Sequence, residues 1–158
     1  MSVVDTLITD RTEADVSRYR ELTGKGWAEM TTSEKSEWMA GMKGAYNASD
    51  LNRVASAMSY LSQRFASAGY SVPISSPTDW ANGDIPTKSD MDTYLDDLRR
   101  IRAALAVMDT TPTAPASMDY LTWAKANDIE KILVDVDDAL GRLLLSPFYS
   151  GEIYSGEV

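Results

Sequence analysis

One helix-opening phrase recurs four times along this chain, at Ala14-Asp15-Val16-Ser17-Arg18, Ser49-Asp50-Leu51-Asn52-Arg53, Ser89-Asp90-Met91-Asp92-Thr93 and Asn127-Asp128-Ile129-Glu130-Lys131. In each, a small or polar residue and an Asp precede an apolar residue, and polar residues follow. That order sets negative charge near the positive end of a helix and puts the first core-facing side chain just behind it. A chain punctuated in this way is predicted to be all-α.

The apolar spacing between the phrases fills in a bundle of about five helices. The first is expected to open at Thr12, with Asp15 at the third helical position, and to end near Gly24. A second opens at Thr31 with Glu34, turns Trp38 and Met42 inward and stops around Gly41 to Gly44. Asn47 and Asp50 open the third, whose seam is Leu51, Val54, Met58, Leu61 and Phe65, closed by Gly69. The fourth follows Pro86, capped by Thr87 with Asp90, along Met91, Tyr94, Leu98, Ile101, Leu105 and Met108. The fifth opens at Thr122 or Asn127 and runs through Ile129, Ile132, Val136, Leu140 and Leu143. The third, fourth and fifth have the longest seams and should build the core.

Two Pro-rich connectors, Tyr70 to Thr87 and Asp109 to Tyr120, separate the later helices. The first carries Val72, Ile74 and Trp80, so it should pack on the bundle or form a short strand. Residues 1–148 are read as the helical domain. Beyond them Tyr149-Ser150-Gly151-Glu152-Ile153 is nearly repeated as Tyr154-Ser155-Gly156-Glu157-Val158. These Tyr- and Gly-rich copies fit no helix, and 149–158 is expected to be an extended arm that docks on a partner or on another copy through Tyr149, Ile153 and Tyr154.

Chemistry is constrained more by what is missing than by what is present. The sequence holds no His and no Cys. Imidazole and thiolate catalysis and the usual zinc, copper and haem ligand sets are thereby removed, and disulfides with them. The expectation is a protein that is not an enzyme, with no catalytic residue, cofactor or metal. Asp135, Asp137 and Asp138 with Glu130 point in different directions on a helix, outside any calcium-loop pattern, and read as surface acids. Asp96-Asp97 before Arg99-Arg100 reads as a solvated face with local ion pairs. Thr23-Gly24-Lys25-Gly26-Trp27 lacks the remainder of a phosphate loop and reads as a helix-ending turn. Trp27, Trp38, Trp80 and Trp123 read as core or loop anchors.

The net charge of −9 is unevenly spread: residues 1–78 hold 9 acids against 8 bases, and residues 79–158 hold 15 against 7. An acidic surface repels phosphate backbones and anionic lipid, so neither nucleic acid nor membrane is expected as a partner. The opening Met1-Ser2-Val3-Val4-Asp5 lacks the basic start and apolar stretch of a signal peptide, so synthesis in the cytoplasm is expected.

Several stretches of the chain carry a likeness in order and wording. They are Asp10-Arg11-Thr12-Glu13-Ala14-Asp15-Val16, Gly26-Trp27 through Glu37-Trp38, Gly44-Ala45-Tyr46-Asn47 through Asp50-Leu51-Asn52-Arg53-Val54, and Thr78-Asp79-Trp80. Asp84-Ile85-Pro86-Thr87, Leu121-Thr122-Trp123, Ala126-Asn127-Asp128-Ile129-Glu130-Lys131-Ile132 and the Tyr-Ser-Gly-Glu ending complete it. In these the chain resembles a family of small proteins encoded by phages and prophages of Gram-positive gut bacteria, near tail and late structural genes. One departure is Lys125, where an acid is expected near the helix start. The resemblance implies a non-enzymatic virion-associated or assembly role at the tail or baseplate, with other phage structural proteins or the chain itself as partners. The alternative is an acidic, DNA-mimicking inhibitor of a host defence protein.

Overall fold

The computed structural model of the protein describes residues 2–145, so the arm with Tyr149, Ile153 and Tyr154 lies outside the described residues. Its helices are α1 (Glu13–Lys25), α2 (Thr32–Ala40), α3 (Ala48–Ser67), α4 (Lys88–Ala103) and α5 (Trp123–Leu145), with 3-10 turns at Val3–Thr6 and Trp27–Glu29. No strand occurs among the described residues.

Four helices open as their sequences dictate. Thr12, Thr31, Asn47 and Thr87 cap α1 to α4, and in each the acid three residues on, Asp15, Glu34, Asp50 or Asp90, reaches back to the cap's own amide. The fourth Asp-led phrase is different. Asp128 lies inside α5, which begins a turn earlier, where the Thr122 hydroxyl accepts from the Lys125 amide at 3.2 Å. Asn127 is no cap, because its side chain is committed to the backbone of Arg11 in both directions, at 3.0 and 2.9 Å. α1 ends at Gly26, which takes φ 75° and closes the turn that the sequence suggested there.

The core is built by α3, α4 and α5. Leu51, Val54, Met58, Leu61 and Phe65 meet Tyr94, Leu95, Leu98 and Ile101 and the Ile129 to Leu140 face of α5, all buried in one cluster. The predicted fourth seam runs too far. Arg102 and Arg99 donate to the carbonyls of Thr111, Pro112, Pro115 and Ala116, folding the second connector back across the last turn of α4. The helix stops at Ala103, Leu105 is only half-buried outside it, and Met108 is exposed. Leu143 is likewise exposed at the end of α5.

The second helix also differs from expectation, since α2 holds no buried residue. Trp38 is half-buried and stacks on Tyr19 of α1 with centroids 5.7 Å apart, and Met42 falls beyond the helix. No tryptophan is in the core. Each joins segments: Trp27 lies under Lys35, Trp80 has its backbone bound by Asn52 at 2.8 Å from both sides, and Trp123 donates its indole N–H to Glu13 at 2.9 Å.

The first connector packs without forming a strand. Val72 enters the core, and Asp97 holds the chain beyond it, one carboxylate oxygen accepting from the Ser75 and Ser76 amides and the Ser76 hydroxyl at 2.7 to 2.8 Å. Asp97 is therefore fully buried, while Asp96 stays exposed beside Arg99. The solvated-face reading holds for one of the two acids only.

Candidate functional site

An N-terminal strap joins the helices through charge. Residues 7–12 run in non-helical conformation into the cap of α1, and Arg11, at 3% exposure, reaches between α3 and α5. One of its terminal nitrogens donates to Asp50 Oδ1 at 3.0 Å and Glu130 Oε1 at 2.6 Å, and the other to the Ile8 carbonyl at 2.7 Å. Arg53 donates to the same Asp50 oxygen at 2.5 Å and to both oxygens of Glu130 at 2.8 and 3.2 Å. The Ile8 amide completes Glu130 at 2.5 Å, and the Asn47 amide completes Asp50 at 2.9 Å.

Two cations and two anions thus face one another, with Asp50 at 5% and Glu130 at 0% exposure. Burial would pull the Arg53 guanidinium down, but the hydrogen bonds and charges of Glu130 and Asp50 outweigh it and hold it above its ordinary value. All four carboxylate oxygens accept hydrogen bonds. The cluster is a clamp whose charges are spent on one another, not a proton-transfer pair.

Beside it, Arg11 lies 5.5 Å over the ring of Tyr46, whose hydroxyl shares a 2.6 Å hydrogen bond with that of Tyr94. Burial pushes both phenols above their ordinary value, with the nearby Glu130 and Asp50 charges acting in the same direction. Both remain neutral in ordinary buffers.

A cleft of about 450 Å³ opens at this point between α1, the segment leading into α3, and the start of α5. Arg11 and Tyr46 line it, with Tyr19 and Arg20 from α1, Lys43 before α3, and Tyr120 and Trp123 at the mouth of α5. Beside the clamp's Arg11, Arg20 and Lys43 line it with one acid, Glu13. Tyr120 is 96% exposed and holds φ 52°. Such left-handed backbone costs a non-glycine residue on the order of 1 to 3 kcal/mol and is retained where surroundings impose it. Gly44 closes one wall: a Cβ there would collide with the Asp15 carbonyl, so α1 lies against the bare backbone.

No protein family, curated protein or solved structure matches this chain.

Two of the acids that the sequence grouped with Glu130 have partners of their own. Asp137 pairs with Arg64, and Asp135 with Lys131 and the Thr111 hydroxyl, whereas Glu130 belongs to the clamp. Sequence reading missed the clamp and the cleft. A signal was present, because Glu130 falls on the core stripe between Ala126 and Leu133, and a charge interrupting an apolar stripe demands a buried partner. What the stripe could not reveal is which cation answers it.

Among the described residues, no helix is long and apolar enough to cross a membrane.

Proposed function

We propose that the protein is a non-enzymatic helical adaptor that works by protein–protein contact, within the tail or baseplate region of a phage particle. The likeness to phage and prophage proteins supports the setting. The observation that carries the contact role is the aromatic, cation-bearing cleft with Tyr120 held outward at its mouth. Aromatic side chains supply large contact area at small entropic cost, and a cation among them favours an acidic partner. The three-helix core keeps α5 rigid, so the cleft edge formed by Trp123 is a pre-shaped surface.

Mass spectrometry of purified particles tests this reading. The chain should be recovered together with tail proteins. Its absence from particles, with recovery instead on a host defence protein, would replace the reading by the acidic-inhibitor alternative.

A further inference from the structure

We propose that the cleft receives the segment 149–158 of a second copy of this chain, one Tyr-Ser-Gly-Glu unit at a time. The inference rests on the contact role above and names the partner. Two complementarities point to it. The segment carries Glu152 and Glu157 and no base, within a sequence whose acid excess otherwise disfavours self-contact, whereas Arg20 and Lys43 present cations at the cleft. Both are solvent-exposed, and their present partners are replaceable: Arg20 stands 3.8 Å from Glu13, and Lys43 pairs with the exposed Asp10. Exposed pairs contribute little, so an entering carboxylate can exchange with them at small cost. The second match is aromatic: the segment brings Tyr149 and Tyr154, and the cleft is lined by Tyr19, Tyr46, Tyr120 and Trp123.

Reach excludes the first unit of the chain's own segment but not the second, which ends 13 residues past Leu145 and could extend at most about 46 Å. The cleft lies at the Trp123 end of α5, and the helix runs to Leu145, an axial span of about 33 Å at 1.5 Å per residue. Tyr149 is four residues past Leu145, which allows at most about 14 Å even fully extended. The first unit of the repeat therefore cannot enter its own cleft. A neighbouring copy has no such restriction. The described chain ends at Leu145, at the end of α5 opposite the cleft, so such a contact between copies is head-to-tail and propagates into a ring or a filament.

Sedimentation velocity of the full chain over a concentration series is the test, with a synthetic peptide of sequence 149–158 as competitor. Expected are oligomers that grow with concentration and dissociate in excess peptide. The Arg20→Glu/Lys43→Glu double variant, with helical circular dichroism retained, should weaken association about tenfold or more. Glu152→Lys/Glu157→Lys should do the same, and the two pairs combined should restore it. Deleting 154–158 should leave association measurable, because one unit remains, whereas deleting 149–158 should abolish it. A chain that stays monomeric, association indifferent to the cleft variant, or peptide that fails to compete would each overturn the proposal. Recovery in particles of a chain that is monomeric in solution would sink this inference and leave the adaptor reading standing; self-association of a chain absent from particles would do the reverse.

Discussion

Glu130 is the residue on which most depends, since it answers two guanidinium groups and one amide at zero exposure. Removing one member of a buried ionic group strands the others out of water, a larger penalty than the pair's net worth. Glu130→Ala should therefore cost about 3 to 5 kcal/mol in urea unfolding. A loss below 1 kcal/mol would mean that water reaches the guanidinium groups. The Tyr46–Tyr94 pair makes a pH prediction of opposite kind. Both phenols are raised in the folded state, so the contribution is whole below their ordinary value near 10 and is lost as pH rises above it, the unfolded chain releasing those protons first. Melting temperature should fall steeply above pH 10, and the double change Tyr46→Phe/Tyr94→Phe should flatten that fall. The clamp was hidden from sequence reading because its partners are 39, 77 and 119 residues apart, and periodicity reports only which residues share a face.

Helix starts were legible because a capping box is closed within four residues and needs nothing from elsewhere. The fourth phrase failed for a related reason: Asn127 and Asp128 have cap chemistry, but Asn127 is claimed by the Arg11 backbone, and Thr122 starts α5 with Lys125 at the position that an acid fills in the other boxes. A cation at a helix N-terminus opposes the macrodipole. Lys125→Glu should complete the box and raise stability by about 0.5 to 1 kcal/mol, or roughly 1 to 4 °C in Tm; a lowered Tm would refute the Thr122 start. α2 departs from the expectation because its apolar residues form no core face. With no buried residue, it is held to α1 by the Tyr19–Trp38 stack and by Lys25–Glu34 and Arg18–Glu37. Lys25, then the Thr31 cap, lowers Glu34 to about 2, and Arg18 lowers Glu37. Depressed carboxyls stabilise above their unfolded value and lose that contribution as pH falls through the folded one. Protection factors for amide exchange in α2 should fall between about pH 4.5 and 2 while those of α3 hold. Equal loss in both would make the molecule one cooperative unit.

At the scale of the whole molecule, the core cluster closes with residues from Leu51 to Leu140. Deleting 149–158 should leave the Tm nearly unchanged in differential scanning calorimetry; unfolding of the shortened chain would place that segment in the core. The clamp also carries a consequence in time. Arg11 and Glu130 are 119 residues apart, and at the usual synthesis rates about 6 to 24 s pass on the ribosome between the making of one and the making of the other. Until then the strap has no anchor on α5, and Asp50 and Arg53 wait in water with their charges half answered. The tie from Arg11 to α5 is thus closed long after Arg11 is made, and a ribosome stalled before Glu130 carries a chain in which Arg11 has only Asp50 of the two acids to pair with.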